Sequence, residues 1–180
     1  GAADLAHLKT ITYGGAPMYV ADCLRAIELF GPRLYQLFGQ GEAPMTITGL
    51  PQSDHAARRN LESCGYARTG AEVRVVDAAD RDLPAGEVGE ILTRSDCIMA
   101  GYWDNPQATA QALRGGWLHT GDLGRLDGDG RLWVEVRRSD LIVATMDSPQ
   151  AQFMINEVAV RNRVPALFVG AYERACGGEV

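Results

Sequence analysis

The strongest constraint on this chain lies between Ala71 and Arg137. Three runs there, "AEVRVVD", "GEVGEILTRS" and "GRLWVEV", alternate apolar and polar residues, and "AADRDLPAG" and "DGDG" separate them. A period of two puts one side of each run into a core and the other into water, which a strand satisfies and a helix does not. Asp-Gly pairs and the Pro-Ala-Gly cluster supply the turns. A small antiparallel, barrel-like sheet is therefore expected. "DNPQATAQAL" interrupts it with a short helix, Asn105 as N-cap and Pro106 at the first helical position.

The upstream part reads differently. "LKTITYGG", Leu8 to Gly15, is a strand that feeds a Gly-Gly-Ala-Pro turn, and Val20, Leu24 and Ile27 then fall on one helical face opposite Asp22, Arg25 and Glu28. Gly31 and Pro32 stop the helix. "RLYQLF" follows as a second, buried strand, ending in the loop "GQGEAP". Strand, helix, strand implies a βαβ unit whose two loops lie on one side, where α/β sheets bind ligands. The fold class is thus α/β with a substantial β component. The polar segment around "SDHAARRNLESCG" marks the change of character, and a boundary is placed after residue 138.

Size and charge narrow the function. A chain of 180 residues that is 46% hydrophobic can bury a core without disulfides or metals. The net charge of -6 and a pI near 5.0 provide no basic field for nucleic acid or an anionic membrane. No apolar run reaches membrane-spanning length. Cys23, Cys64, Cys97 and Cys176 are widely spaced, which fits reduced thiols in a cytoplasmic protein. The chain opens at Gly1 and stops just past an apolar run, so an internal fragment is expected. Of 17 Lys plus Arg, only Lys9 is a lysine.

Four segments could carry chemistry, each with a plain structural reading beside the functional one. Gly14 and Gly15 let a backbone approach a flat ligand, or simply turn a strand into a helix. In "FGQGEAP", Gly39 and Gly41 free backbone N–H groups for phosphate, Phe38 offers a flat face, and Glu42 could hold Mg²⁺ or be a solvated acid. Asp122 in "HTGDLG" could accept two hydrogen bonds from a ribose diol, or close an Asx-type turn. Arg137 could fork onto hydroxyls or be an edge-strand charge. His7, His55 and His119 are isolated, and His119 reads as a local hydrogen-bonding residue. No P-loop, G-x-G-x-x-G or G-x-S-x-G is present.

In order, "YGGAP", "FGQGEAP", "GEVGEILTRS", "GYWDNPQAT", "GGWLHTGDLGRLDGDGRLWV" and "RRSDLI" resemble the adenylate-forming superfamily, closest to its acyl-CoA synthetase branch. The resemblance implies the latter part of the large AMP-binding domain over 1–138, a hinge over 139–150 at Ser139 and Asp140, and the start of a small α+β domain over 151–180. It implies ATP or AMP, Mg²⁺ and coenzyme A, with a small-molecule carboxylic acid of unassigned class as substrate. Gly14, Gly15, Ala16 and Pro17 match the segment lining the acyl pocket and one adenine face. Phe38 matches the aromatic on the adenine, and Gly39 and Gln40 the loop near the acyl carbonyl and nucleotide. Glu42 matches the Mg²⁺-associated catalytic acid, and Asp122 and Arg137 the ribose contacts.

The departures matter as much. The family's phosphate loop and terminal lysine are not recognisable, and Gly41 replaces a threonine whose hydroxyl usually meets the α-phosphate. The chain alone is expected to keep part of the AMP and acyl pocket without catalysing adenylation. A nucleotide-binding module without chemistry, a β-rich interaction domain, and a peptide-adenylating or luciferase-like member remain as alternatives.

Overall fold

The computed structural model describes residues 5, 7–137, 142–144 and 166–168. They fall in two compact units, Gly1–Arg137 and Arg138–Val180. In the first, β1 (Ile11–Gly14) and β2 (Leu34–Gln40) pair in parallel with Gly14 opposite Leu37, and α1 (Val20–Phe30) is the crossover. Parallel neighbours need such a crossover, and it brings the loops after both strands to one end. The helix buries Cys23 and Ile27 against Leu34, Leu50 and Leu61, while Val20 and Leu24 pack at the margin. Gly31, at φ 70°, ends it.

The expected loop after β2 is a hairpin. The strand continues through Gln40, turns at Gly41 and Glu42, and returns as β3 (Ala43–Leu50). Sequence periodicity missed β3 for a physical reason. Phe38 pairs with Thr48 and Gln40 with Ala43, so Pro44 to Ile47 face the single residue Gly39, and this bulge scrambles the alternation. The polar segment also holds an element unseen in the sequence, α2 (Gln52–Ala57), and β4 (Tyr66–Ala67) completes a sheet of order β1-β2-β3-β4.

The expected antiparallel sheet is a meander of β5 (Glu72–Val76), β6 (Gly89–Arg94), β7 (Leu118–Leu126) and β8 (Leu132–Arg137). In the "DGDG" turn the Asp127 carboxylate accepts backbone N–H groups of Asp129 and Arg131 at 3.0 and 2.9 Å. The predicted helix is α3 (Pro106–Ala112), with Asn105 Oδ1 accepting the Ala108 N–H at 3.0 Å. Leu118 packs on Ala43 and Ile47, and Phe38 touches both this cluster and that of Val75, Ile91 and Leu132. Backbone bonds from Cys64 N to Leu132 O and from Leu132 N to Gly65 O also link the sheets. Burying a residue such as Ile47 or Leu118 is worth about 1.5–3 kcal/mol against about 1 for a hydrogen bond, so packing dominates the joint.

In the second unit, β9 (Ile142–Ala144) and β10 (Ala166–Phe168) form a parallel pair. Ser139 and Asp140, the expected hinge, lie outside the described residues. Among the described residues no helix is long and apolar enough to cross a membrane.

Candidate functional site

The parallel pairing of β1 and β2 brings the glycine turn and the hairpin together. A side chain at Gly14 would meet the Leu37 carbonyl oxygen at 2.1 Å and Met45 Sδ at 3.2 Å. Gly15, at φ 84°, lies against the Met45 methyl, and a side chain at Gly39 would strike the backbone of Met45 and Ala43 at 2.3 and 2.4 Å. Three of the predicted residues therefore converge on Met45, itself at φ 56°. Ala16 and Pro17 are exposed beside them, whereas Phe38 and Gln40 are half-buried. Gly41 is different: a side chain there would meet nothing within 4 Å.

Glu42 is held from sixty residues away. Its backbone carbonyl accepts the Met99 N–H at 2.8 Å, and its Oε1 accepts the Tyr102 hydroxyl at 2.5 Å. The hydrogen bond to that carboxylate, helped by partial burial and the negative charge, raises the Tyr102 phenol above its ordinary range. Oε2 makes no hydrogen bond among the described residues, and the turn around it is open. A hard cation that takes oxygen ligands fits that arrangement. Sequence reading could not find Tyr102 as a partner, because a sixty-residue contact leaves no local periodicity.

Asp122 stands in no turn. It lies within β7 and is 3% exposed. Glu90 pairs with Leu123 and Leu92 with His119, so Thr120, Gly121 and Asp122 oppose the single Ile91 in a bulge. Gly121 takes φ 71°, the left-handed region glycine tolerates best. The bulge is pinned: Thr120 Oγ1 donates to Ile91 O at 2.7 Å and accepts the Asp122 N–H at 3.1 Å. Glu90 accepts the Gly121 N–H on Oε1 at 3.3 Å and His119 Nδ1–H on Oε2 at 3.1 Å. The last pair of the β7–β8 ladder sets Asp122 directly opposite Arg137, so the register makes neighbours of two predicted residues.

His119 is the local hydrogen-bonding residue expected. Asp80, Glu90 and His119 do bring donor atoms within 4.8 Å of one another. The Arg114 guanidinium already lies 3.5 Å from Asp80 and 3.4 Å from Glu90, offsetting one of their two charges.

His55 supports the first loop from beneath. It is fully buried, its Nδ1 is 2.9 Å from the Pro51 carbonyl, and its Nε2 is 2.9 Å from the Tyr13 hydroxyl. A carbonyl only accepts, so Nδ1 carries the hydrogen and Nε2 accepts from Tyr13. Burial lowers the His55 pKa, keeping the ring neutral beneath the residue before Gly14. Burial also pushes the Cys64 thiol up to about 11, with the Asp122 charge a smaller cause. Cys23, Cys64 and Cys97 are free thiols, and Cys176 lies outside the described residues.

Residues 1–103 match the family described as AMP-binding enzyme. A medium/long-chain fatty-acid–CoA ligase of Mycobacterium tuberculosis is 41% identical over 140 residues, 78% of this chain and 24% of its own length. An amide bond synthetase structure from Marinactinospora thermotolerans superposes with a TM-score of 0.71 at 40% identity, covering 78% of this chain and 28% of that one. An o-succinylbenzoate coenzyme A synthetase of Bacillus subtilis in complex with AMP gives 0.65 at 28% identity, over 77% and 29%. The chain spans about a quarter of the length of the curated relatives it matches.

Proposed function

The chain belongs to the AMP-binding enzyme family, and on that premise we propose that it carries part of the nucleotide and acyl surface of an ATP-dependent acid–thiol ligase. In the proposed reaction a carboxylate oxygen bonds to the α-phosphorus of ATP as the α–β anhydride breaks and pyrophosphate leaves. The coenzyme A sulfur then bonds to the acyl carbon, its proton is released, and AMP departs. The observation that carries the reading is the convergence of Gly14, Gly15 and Gly39 on Met45, which brings two separate sequence motifs to one place.

The residues divide the work. Gly14, Gly15, Ala16 and Pro17 present backbone to the acyl group and one adenine face, and Phe38 backs the other side. Gly39 and Gln40 lie near the reacting carbonyl and the nucleotide, and the Gly41 N–H can donate to phosphate without the missing threonine hydroxyl. Asp122, with Arg137 opposite it, takes the ribose diol. Glu42 would hold Mg²⁺, which supplies charge neutralisation on the phosphate oxygens when bound. The hinge at Ser139 and Asp140 and the boundaries at 138 and 150 belong to the same proposal, as does a cytoplasmic location.

The test is nucleotide binding followed by calorimetry. AMP should bind the chain saturably, and Asp122→Ala should weaken it at least tenfold; equal affinity in the variant would remove the ribose assignment. The 180-residue chain should give no carboxylate-dependent pyrophosphate exchange, and measurable exchange would overturn its expected inactivity. The likeness to an amide bond synthetase favours one second reading, an amine in place of coenzyme A as acceptor.

A further inference from the structure

The segment "GYWDNPQAT", Gly101 to Thr109, is given no chemical role by the assignments above. Its parts nevertheless assemble around one atom. Asn105 caps α3 and Pro106 starts it, which fixes Thr109 one turn in. Thr109 Oγ1 donates to Asn105 O at 2.9 Å and accepts the Tyr102 N–H at 2.9 Å. Gly101, at φ 154°, packs so closely on Thr109 that a side chain there would meet its Cγ2 at 2.8 Å. Each feature constrains the backbone of Tyr102, and the Tyr102 hydroxyl ends on Glu42 Oε1 at 2.5 Å. Nearby, the Met99 N–H fixes the Glu42 carbonyl at 2.8 Å, so both the backbone and the side chain of the acid are held by one loop.

We propose that Tyr102 is a positioning residue for Glu42: its phenol occupies Oε1, fixes the carboxylate plane, and leaves Oε2 alone to meet a divalent cation. The inference rests on the Mg²⁺ reading of Glu42 and adds to it a mode of binding, one oxygen rather than two. Nothing lies within 4 Å of where a side chain at Gly41 would stand, so that neighbour offers the acid no support. The outside phenol supplies it instead. A hydrogen bond between a hydroxyl and a carboxylate is among the stronger neutral-to-charged contacts, so its loss should be measurable as affinity.

The experiment uses Mn²⁺ with ATP as the probe, followed by electron paramagnetic resonance, with AMP binding measured in parallel. Tyr102→Phe removes one oxygen at a partly exposed site and leaves the ring. Its Mn·ATP dissociation constant should rise about three- to tenfold, and by at least threefold more than its AMP constant. Glu42→Gln should weaken Mn·ATP at least as much, and Tyr102→Phe should add nothing to Glu42→Gln, since coupled residues are not additive. If Glu42→Gln weakens Mn·ATP and Tyr102→Phe does not, the positioning role is wrong and the Mg²⁺ reading stands. If Glu42→Gln leaves Mn·ATP unchanged, or the parent chain does not bind it, the Mg²⁺ reading fails and takes this inference with it.

Discussion

The hairpin at Gly39–Met45 and the bulge at Thr120–Asp122 each present one acid, by opposite means. Glu42 sits on a half-exposed turn beside an unconstrained glycine, and a phenol sixty residues away sets its direction. Asp122 is 3% exposed inside a strand, and its own neighbours fix it: the Thr120 hydroxyl, the left-handed Gly121 and the Glu90 carboxylate on the adjacent strand. The contrast shows two ways to place a carboxylate. Inside a ladder the backbone orients it, and most local changes cost stability. On a turn the backbone leaves it loose, so orientation is supplied separately and can change without unfolding anything.

The comparison can be broken by glycine substitutions. The largest effect is expected at Gly39, where a side chain would overlap the backbone of Met45 and Ala43 at 2.3 and 2.4 Å. Gly39→Ala should cost about 3 kcal/mol in urea unfolding, because backbone atoms cannot yield as a side chain would. Gly121→Ala should cost about 1–2 kcal/mol, the penalty of a left-handed residue with space around it. It should also weaken AMP binding by displacing Asp122. If it leaves AMP binding intact, the bulge is not what aims the acid.

Acid should separate the two sheets. The folded pKa of His55 lies below its unfolded value, so the unfolded chain binds the extra proton first. Stability is then full above the ordinary imidazole pKa of about 6.5 and falls as pH drops from there towards the folded value. The slope cannot exceed about 1.4 kcal/mol per pH unit for one proton. Protonated Nε2 would turn a hydrogen onto the Tyr13 hydroxyl that now donates to it, so amide exchange in β1 and α2 should quicken before that in β6 and β7. His55→Gln should abolish the difference. The smallest effect is Gly41→Thr, which should change stability by less than about 0.5 kcal/mol, since the added atoms meet nothing. A large loss there would mean the turn is constrained after all.

How much was legible followed from range. Strands β5, β6 and β8 are readable because their apolar, β-branched runs are bracketed by turn residues, and α3 because Asn105 and Pro106 write its start locally. The face of α1 was readable too, although its buried centre includes Cys23 as well as Ile27. Bulges defeated the rest. At Pro44–Ile47 and Thr120–Asp122 extra residues shift the phase of the pattern, so β3 leaves no periodic signal and Asp122 reads as a turn residue. Tyr102, Glu90 and the Tyr13–His55 pair stayed hidden as partners, because each contact joins residues 29 to 60 positions apart.

By itself the sequence determined the α/β class, the order of the motifs and the residue types at the two acids, because periodicity, caps and turn residues act over a few positions. Tertiary structure alone decided which of those residues meet. Parallel pairing of β1 with β2 carried Gly14 to Met45, the β7–β8 register set Asp122 against Arg137, and the mount on α3 delivered a phenol to Glu42. Contacts of that kind depend on register and packing between distant elements, and the local sequence does not encode either in any pattern that can be read along the chain.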